Sequence, residues 1–368
     1  MSTKDRVVVA MSGGVDSSLA AALLKKQGFD VIGVTMRLWM SQESEDKAAH
    51  AGKGCCSLSN VDDARRVADK LDIPFYTLNL KDFFKEKVVE NFISEYRRGR
   101  TPNPCIVCNR YLKFDLLLKR AIELEAQFIA TGHYARVEKD AINGRWKLKK
   151  AIDDSKDQTY TLYNMTQMQL SRTLFPLGNY RKTEVREMAA HMELSVAKKP
   201  DSQEICFIPD DDYKRFLREE MKINSSPGPI YDVAGNHIGT HHGLVNYTVG
   251  QRKGLGLAVG RPLYVVDLDT DNNSLIVGDN KDIYSRGLIA EDINYIMIEH
   301  LSEPMRVMAS VRYNASAAPA TLSPLPEGKV RVEFDTLQRA VTPGQSVVFY
   351  YNDDVVGGGI IQKAIKDN

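Results

Sequence analysis

Residues 12–17 read Ser-Gly-Gly-Val-Asp-Ser, and the sequence on either side of them decides the fold of the first half of the chain. The apolar run 7–11 before them has the character of a buried strand, and the Leu/Ala-rich run 19–24 after them has that of a helix. The two glycines let the backbone turn sharply, and the helix start presents unpaired N–H groups to an anion. The sequence therefore predicts a loop that holds the phosphates of a nucleotide.

This loop is not a Walker A loop, because no Gly-Lys-Ser or Gly-Lys-Thr follows the glycines. Ser12, Ser17 and Ser18 offer hydroxyl groups where a Walker A loop has its lysine. The alternative is an ordinary strand-to-helix turn, in which the serines cap the helix and Asp16 complements its dipole. Six consecutive small or polar residues with a double glycine exceed what capping requires.

Composition favours a globular protein of two or three domains. The chain has 368 residues, of which 43% are hydrophobic and 26% charged. With 49 basic and 48 acidic residues the net charge is +1, which argues against a general polyanion-binding surface but permits local basic patches. The sequence shows no secretory signal and no apolar stretch of membrane-spanning length, so we expect a cytoplasmic protein without a membrane partner. Its five cysteines are then expected to be reduced.

The first 207 residues alternate strand-like and helix-like segments. Such alternation predicts an α/β fold with a doubly wound parallel sheet, in which ligands bind at the carboxyl ends of the strands. The 12–17 loop, Met36 and the Thr-Gly-His-Tyr segment at 131–134 all fall at such ends. The predicted strands are 6–11, 31–38, 74–80 and 127–131, and the predicted helices are 16–27, 60–72, 81–98, 110–125 and 181–193.

The sequence pattern changes after a short helix predicted at 211–221. A Pro/Gly-rich turn at 224–229 is followed by short alternating strands separated by Gly, Asp and Asn. The spacing of the strands from about 286 onward fits a small β-barrel. We therefore predict three domains: an α/β domain at 1–207, a small, mainly β central domain at 208–283 and a C-terminal β-barrel domain at 284–368.

A proline-stiffened loop at 101–110 carries two of the five cysteines. We expect Cys108 to lie just before a helix that starts near Arg110, where the helix dipole and the arginine favour the thiolate. Half of a zinc site and a thioredoxin-like dithiol are the alternatives for Cys105 and Cys108. The alternative role for Cys206 is that of a small residue packed in the core. Cys55 and Cys56 are assigned packing or loop roles.

With these motifs in order, the chain resembles the tRNA-specific 2-thiouridylases of the PP-loop ATP pyrophosphatase superfamily over essentially its whole length. The phosphate loop alone indicates only the superfamily, and the cysteine loop and the Cys206 segment supply the narrower match. The other matching segments are 131–134, Lys-Asp-Gln at 156–158, Asp-Ser-Gln-Glu-Ile-Cys-Phe at 201–207, 250–256 and 342–345.

The resemblance implies an enzyme that adenylates the 2-carbonyl of the wobble uridine of tRNA and then replaces the oxygen with sulfur. Adenylation makes the oxygen a good leaving group, and Mg²⁺ is expected to neutralise the phosphates of ATP. The residues implied to contact ATP are Ala10, Met11, Ser12, Gly13, Gly14, Val15, Asp16, Ser17, Met36 and Gly132.

The resemblance also assigns roles to the thiols. Cys206 is implied to carry sulfur as a persulfide received from a donor protein or cysteine desulfurase, and Cys108 to be its catalytic partner, with a Cys108–Cys206 disulfide as one end point. Many family members carry Asp where this chain has Cys105. That departure leaves an acid–base role at 105 in doubt. It also creates three thiols, Cys105, Cys108 and Cys206, that could instead hold a [4Fe-4S] cluster.

The tRNA partner is expected to offer an unpaired uridine turned out of its stack, since stacking and pairing hide the 2-carbonyl. Arg97, Arg98, Arg100 and Arg110 could meet phosphates, or they could form a solvated helix end. His133 has the alternative of a purely structural hydrogen bond. The implied tRNA contacts are Asn103, Pro104, Cys105, His133, Lys156, Asp157, Gln158, Arg312, Tyr313 and Gln345.

Two other functions remain open on sequence alone. One is another PP-loop enzyme that adenylates a carbonyl, such as a ligase, an amidotransferase or a different tRNA-modifying enzyme, and it predicts indifference to thiol alkylation. The other is a noncatalytic RNA-binding protein regulated by nucleotide, which predicts tRNA binding without pyrophosphate release.

Overall fold

The computed structural model describes residues 4–39, 58–201, 205–208, 210–220, 226–257 and 259–366. Cys55 and Cys56 lie outside these ranges. The chain forms two compact units. Unit 1 contains residues 1–89, 104–212 and 353–355, and unit 2 contains 90–103, 213–352 and 356–368. The prediction of three consecutive domains stays a prediction. None of the described helices is both long enough and apolar enough to span a bilayer.

Unit 1 is an α/β unit whose elements follow one another along the chain. Its strands are β1 Arg6–Ala10, β2 Asp30–Arg37, β3 Phe75–Asn79, β4 Phe128–Ala130, β5 Arg136–Lys139, β6 Trp146–Lys149 and β7 Thr173–Leu174. Its first helices are α1 Val15–Lys26, α2 Leu58–Lys70 and α3 Lys81–Phe84, which continues as a π-helical segment Lys85–Val89 and, in unit 2, as α4 Glu90–Arg97. Then come α5 Pro104–Cys108, a π-helical segment Asn109–Leu116, α6 Leu117–Glu123, a 3-10 turn Thr159–Thr161, α7 Gln167–Ser171 and α8 Lys182–His191.

The sheet of unit 1 confirms the predicted α/β class. Its strand order is β3-β2-β1-β4-β7, and every neighbouring pair is parallel. Val7, Val8 and Val9 of the central strand are fully buried, as expected for a strand covered on both faces. The fifth strand, β7, was not predicted because two residues give no periodic signal. The antiparallel hairpin β5–β6 also interrupts the predicted alternation.

Unit 2 contains a small β-sheet and a closed barrel. It begins with α9 Tyr213–Arg215 and a π-helical segment Phe216–Glu220, and its first sheet has the order β10-β11-β8-β9. The strands of that sheet are β8 Gly228–Asp232, β9 His237–His241, β10 Tyr264–Asp269 and β11 Ser274–Gly278. The 3-10 turns are Leu244–Asn246, Asn280–Ile283 and Pro326–Gly328. The barrel strands are β12 Tyr284–Tyr295, β13 Met305–Ser310, β14 Ala318–Pro324, β15 Val330–Arg339, β16 Ser346–Tyr351 and β17 Asp354–Ile365.

The predicted C-terminal barrel is confirmed. Its strands run in the order β12-β15-β14-β13-β16-β17, and pairing of β12 with β17 closes the circle. Alternate residues point inward, so Val332, Phe349 and Ile361 are fully buried. Closure removes the exposed strand edges that an open sheet of this size would leave.

Residues 90–103 belong to unit 2, although in sequence they lie between two parts of unit 1. Arg100 forms ion pairs with Glu95 at 2.8 Å and with Glu291 of the barrel at 3.0 Å. The backbone N–H of Thr101 donates to the carbonyl of Pro343 at 2.9 Å. Arg100 therefore has carboxylate partners within unit 2, and its contact with phosphates stays a prediction.

Candidate nucleotide and thiol site

The 12–17 loop has the backbone shape of an anion cradle. Gly13 has a φ of +71°, and a Cβ on it would lie 2.1 Å from the carbonyl oxygen of Asn60. Only glycine fits such a position. Gly14 is the N-cap of α1, and in the described part of the chain no side chain caps this helix. The alternative in which the serines cap the helix is therefore not observed, and the first N–H groups of α1 are left for a ligand.

The serines of the loop stabilise its shape instead. The Ser17 hydroxyl accepts a hydrogen bond from the backbone N–H of Ser12 at 3.0 Å and lies 3.2 Å from the Ser12 hydroxyl. It also donates to the carbonyl of Gly14 at 3.3 Å. The loop is thus held in one conformation by its own side chains, which lowers the entropy cost of binding a ligand.

Gly132 lies against the loop, as its predicted place at the end of β4 requires. A Cβ on Gly132 would lie 2.6 Å from the backbone nitrogen of Ser17 and 2.8 Å from the carbonyl carbon of Asp16. On the other side, the Thr35 hydroxyl of β2 donates to the carbonyl of Met11 at 2.6 Å. The structure therefore gathers the loop, Gly132 and the end of β2, which carries Met36, at one edge of the sheet. Contact of these residues with ATP stays a prediction.

Asp16 is held by two side chains that the sequence analysis missed. The Lys182 ammonium donates to both carboxylate oxygens of Asp16, at 2.7 and 2.8 Å, and the Tyr134 hydroxyl donates to Oδ1 at 2.8 Å. Burial raises the pKa of Tyr134 and the Asp16 carboxylate raises it further, so the phenol stays protonated and donates. A lysine in the first turn of a helix opposes the helix dipole, and this was the signal in the sequence.

The role of Asp201 was also missed, and three basic side chains converge on it. Lys182 contacts its Oδ1 at 2.8 Å, Arg186 contacts the same oxygen at 2.8 Å, and Lys156 contacts Oδ2 at 2.9 Å. Burial raises the pKa of Asp201, but hydrogen bonds from Lys182 and Lys156 outweigh it, and the pKa lies below its ordinary value. Asp201 is therefore ionised at neutral pH.

Lys199 fastens the loop to α2. Its ammonium donates to the carbonyl of Gly13 at 3.0 Å, to the side-chain oxygen of Asn60, and to Asp63 at 2.6 Å. The bond reaches the one loop residue whose positive φ fixes the turn. Lys199 therefore stabilises the cradle at Gly13, whereas Lys182 holds Asp16.

His133 and the 156–158 segment, which are predicted tRNA contacts of unit 1, lie close together. Two hydrogen bonds join Tyr134 and Gln158: the Tyr134 N–H donates to the side-chain Oε1 of Gln158 at 2.9 Å, and the Gln158 N–H donates to the Tyr134 carbonyl at 3.0 Å. His133 and the 156–158 segment are therefore neighbours. Burial raises the pKa of Asp157, which accepts from the Ala151 N–H and the Thr159 hydroxyl and so has a structural role.

His133 lies among aromatic rings, with the ring centres of Phe114 and Phe175 at 5.9 and 6.1 Å. Its Nδ1 lies 2.7 Å from the Thr131 hydroxyl. Burial lowers the pKa of His133 well below its ordinary value, and nearby Lys113 lowers it further. His133 is therefore neutral at physiological pH, which suits contact with an uncharged base better than with a phosphate.

The structure corrects the predicted position of Cys108. The helix begins at Pro104 rather than near Arg110, so Cys108 lies at the end of α5 with helix on both sides of it. The dipole argument for its thiolate is therefore wrong. Cys105 is in the first turn of α5 and is exposed, whereas Cys108 is buried.

Cys206 is half-buried. The adjacent Phe207 packs edge-to-face on Phe84, with ring centres 5.5 Å apart, and the π-helical segment that follows Phe84 packs against α5. The neighbour of Cys206 thus contacts the end of α3, and the segment that follows α3 packs against the helix that carries Cys108. Among the described residues no three His, Cys, Asp or Glu side chains are grouped to hold a metal, so this structure does not assemble Cys105, Cys108 and Cys206 as cluster ligands.

The remaining predicted contacts lie in unit 2. Arg312 and Tyr313 follow β13 in a turn stabilised by the Ser310 hydroxyl, which donates to the Arg312 carbonyl at 2.9 Å. Tyr313 is exposed. The Gln345 side chain donates to the carbonyl of Thr101 at 2.8 Å, so within unit 2 it holds the residues that lead to Asn103.

Three family models match consecutive parts of the chain. They are described as tRNA methyl transferase HUP domain, tRNA methyl transferase PRC-barrel domain and Aminomethyltransferase beta-barrel domain, and they match residues 5–210, 214–279 and 285–361. The α/β, central and barrel parts are thus found in the order that the fold shows.

Curated relatives match the chain from end to end. A protein named tRNA-specific 2-thiouridylase MnmA 1 from Thermoanaerobacter sp. (strain X514) is 56% identical over 366 residues, which is 100% of both chains. Proteins named tRNA-specific 2-thiouridylase MnmA from Acetivibrio thermocellus and Clostridioides difficile (strain 630) are 55% and 52% identical over 360 residues, covering 98% of this chain and 100% and 99% of theirs. By this identity over its full length, the chain belongs to the tRNA-specific 2-thiouridylase family.

Proposed function

We propose that this protein uses ATP to activate the 2-carbonyl of the wobble uridine of tRNA and replaces its oxygen with sulfur, giving 2-thiouridine, AMP and pyrophosphate. The observation that carries the proposal is the 52–56% identity to proteins named tRNA-specific 2-thiouridylases. The uncapped helix start behind Gly13 and Gly14 supports it, because adenylation requires a site for the phosphates.

In the first step, the uracil oxygen attacks the α-phosphorus of ATP and pyrophosphate leaves. The N–H groups of the loop and of the α1 start face the phosphates, and Gly132 leaves room beside them. Mg²⁺ supplies charge neutralisation when it is bound with ATP. Because Lys182 occupies both oxygens of Asp16, we assign the metal mainly to phosphate oxygens.

In the second step, Cys206 carries a persulfide, Cys206–S–SH. The Cys108 thiolate attacks Sγ of Cys206, forms a Cys108–Cys206 disulfide and releases hydrosulfide. Hydrosulfide attacks C2 of the adenylated base, the C–O bond breaks and AMP leaves. A thiol reductant then returns the disulfide to two thiols. Phe207, next to Cys206, packs on Phe84, and the π-helical segment Lys85–Val89 that follows Phe84 packs against α5, the helix that carries Cys108. This series of contacts supports the pairing.

The persulfide route is favoured over the [4Fe-4S] route because the described residues offer no group of three ligands. Iron and sulfide analysis after anaerobic purification tests this choice. The persulfide route requires a sulfur-donating partner, either a relay protein or a cysteine desulfurase, and we place the reaction in the cytoplasm, where thiols stay reduced.

The tRNA is assigned contacts in both units. The residues assigned to surround the target base are Asn103, Pro104 and Cys105. A second group of assigned contacts lies around the Tyr134–Gln158 hydrogen bonds and consists of His133, Lys156, Asp157 and Gln158. Arg312, Tyr313 and Gln345 contribute from the barrel. The neutral state of His133 and the exposed ring of Tyr313 support stacking and hydrogen-bond contacts to unpaired bases.

The test is a single turnover: the protein is loaded with glutathione persulfide, freed of small thiols and sulfide, and incubated with ATP, Mg²⁺ and unmodified tRNA, followed by nucleoside mass analysis. We expect 2-thiouridine at the wobble position with release of pyrophosphate. Cys108→Ser and Cys206→Ser should each lower the yield at least tenfold.

Each other result contradicts the proposal in a different way. Full activity of Cys108→Ser or Cys206→Ser removes the persulfide pairing. Pyrophosphate release without thiouridine, unaffected by thiol alkylation, identifies another adenylating PP-loop enzyme. Binding of tRNA without pyrophosphate release identifies a noncatalytic RNA-binding protein.

A further inference from the structure

The helix that carries Cys108 is anchored by the side chain of the next residue. Asn109 is 3% exposed, and its Nδ2 donates to the carbonyl of Thr161 at 2.9 Å. Cys108 has a φ of −61° and a ψ of −45°, so the helical backbone runs without a break from α5 into the π-helical segment that begins at Asn109. Because the two residues are consecutive on one helical backbone, a rotation of the helix moves both of them together.

A series of hydrogen bonds within unit 1 leads from Thr161 to the phosphate loop. The backbone N–H and the hydroxyl of Thr161 both donate to the carbonyl of Gln158, each at 2.9 Å. Gln158 forms its two hydrogen bonds with Tyr134, and the Tyr134 hydroxyl donates to Asp16 at 2.8 Å. The Cys108 helix is thus connected to the nucleotide loop through a direct contact at every step.

The apolar contacts of the same helical segment fix its orientation less sharply. Phe114 is fully buried, and its ring centre lies 5.9 Å from those of Phe175 and His133. Apolar packing has no preferred direction and tolerates a small rotation, whereas an N–H···O bond weakens steeply as its angle closes. The Asn109 bond therefore adds a directional contact one residue from the thiol.

The Asn109 amide contributes more to orientation than to stability. Among the residues that the structure describes, Thr161 is the hydrogen-bond partner of Nδ2, and the buried Oδ1 has none. The hydrogen bond that is made and the buried acceptor that is left unpaired have opposite effects on the free energy of folding. If packing alone mattered at this position, an apolar side chain of similar volume would serve better.

We propose that Asn109 is a positioning residue that fixes the orientation of the Cys108 helix, and with it the direction from which the Cys108 thiolate attacks the persulfide on Cys206. This inference rests on the proposed function. Adenylation does not require Asn109, because Tyr134 keeps its bonds to Gln158 and Asp16 when the amide is removed.

The experiment is a single turnover that separates adenylation from the thiol step. The wild-type protein and Asn109→Leu are loaded with glutathione persulfide, freed of small thiols and sulfide, and mixed with ATP, Mg²⁺ and unmodified tRNA without a reductant. Samples quenched over time are analysed for pyrophosphate, for 2-thiouridine and, after alkylation, for the Cys108–Cys206 disulfide. Gln167→Leu is the matched control, because it removes a half-buried amide of unit 1 that donates to the carbonyl of Trp146 at 2.9 Å.

We expect Asn109→Leu to form the disulfide and 2-thiouridine about tenfold more slowly than wild type, because a small misplacement of a reacting atom slows its attack. The KM for ATP, the rate of pyrophosphate release and the Kd for tRNA should stay within twofold of wild type. Gln167→Leu should match wild type in all of these measurements. A merely structural role of Asn109 would instead lower the rates of adenylation and of the thiol step together.

Should Asn109→Leu fail to fold, Thr161→Val replaces it, since it keeps the shape of the side chain but loses the hydroxyl bond to the Gln158 carbonyl. The same selective slowing, about threefold, is expected. Disulfide formation at the wild-type rate, or an equal slowing of pyrophosphate release, overturns the inference. Wild-type protein that makes 2-thiouridine without the disulfide also overturns it, because the thiol pairing is then absent. If wild type makes no 2-thiouridine, the proposed function itself fails.

Discussion

At the scale of single residues, the site depends on two glycines that leave no room for a side chain. Gly13 is fixed by its positive φ and by Asn60, whereas Gly132 is fixed only by its approach to the backbone of Asp16 and Ser17. Backbone atoms cannot move aside as a flexible side chain can. The distance between β4 and the loop is therefore set by the absence of one carbon atom at position 132.

Gly132→Ala should raise the KM for ATP about tenfold or more, because the new methyl group would push the Ser17 N–H out of position. The measurement is the ATP dependence of pyrophosphate release. Gly144→Ala is the control: it also replaces a glycine of unit 1, in the β5–β6 turn, where a Cβ meets nothing within 4 Å. The φ of +72° at Gly144 strains that turn but does not change the contacts of the phosphate loop, so the KM for ATP should stay at the wild-type value. An unchanged KM in Gly132→Ala would show that nucleotide does not use the Ser17 side of the loop.

His133 gives unit 1 a pH-dependent stability. Its folded-state pKa is lowered, so between that pKa and about 6.5 the unfolded chain binds a proton that the folded chain does not. Stability is then fully present above about pH 6.5 and is lost as the pH falls toward the folded pKa.

From pH 7.0 to pH 5.5 the free energy of unfolding should fall in the wild-type protein. In His133→Gln that fall should be smaller by about 1 kcal/mol. Urea denaturation at the two pH values measures the difference. His191→Gln serves as the control, because that histidine is exposed on α8 and bonds the Glu187 carbonyl of its own helix. Identical pH dependence in wild type and His133→Gln would contradict a buried neutral imidazole.

At the scale of elements, the Lys199 side chain fastens the phosphate loop to α2. Lys199→Met removes charged hydrogen bonds to Gly13 and Asp63 while keeping the length of the side chain. Since Lys199 is about one quarter exposed, we expect a loss of about 1–2 kcal/mol in free energy of unfolding and a several-fold higher KM for ATP.

Thermal unfolding and the ATP dependence of pyrophosphate release measure these effects. The control is Lys70→Met, which removes another lysine–carboxylate contact from the same helix, at its exposed end. A KM equal to that of wild type would mean that the loop keeps its shape without Lys199.

Most elements near the loop could be predicted because their signals are local. The run 7–11 and the glycines that follow predicted β1 and α1 to within one residue at each end. The start of the cysteine helix could not be predicted in the same way, because Pro104 reads equally well as a loop residue and as the first residue of a helix. Cys108 was placed wrongly for that reason.

The Lys182–Asp16–Asp201 contacts could not be predicted from sequence either. The Lys182–Asp16 pair joins residues 166 positions apart, and no local period encodes a pair so distant. The sequence signals a buried charge only when the charge stands at an unfavourable position. Lys182 is such a case, because a lysine in the first turn of α8 opposes the helix dipole. The chemistry of the loop was therefore predictable, and the side chains that fix it were not.

At the scale of the whole molecule, the order of domains along the chain differs from the grouping of contacts. Residues 90–103 leave unit 1 at a π-helical segment and pack with unit 2, and the chain returns at Pro104 with the cysteine helix. The barrel therefore fixes the residues that lead directly into Asn103. This explains why Gln345, far along the chain, forms a hydrogen bond with Thr101, just before the cysteines.

Gln345→Ala tests that organisation. The variant loses the donor to the Thr101 carbonyl, so the 101–103 segment should populate more conformations, and the net loss of about 1 kcal/mol corresponds to about fivefold weaker tRNA binding. Because the phosphate loop lies in unit 1 and keeps all its contacts, the KM for ATP should not change. Filter binding of tRNA and ATP-dependent pyrophosphate release measure the two effects. Gln338→Ala, whose side chain bonds Thr336 two residues away, should leave both at wild-type values. If Gln345→Ala instead raised the KM for ATP as much as it weakened tRNA binding, the barrel would act on the nucleotide site and not through the segment before the cysteines.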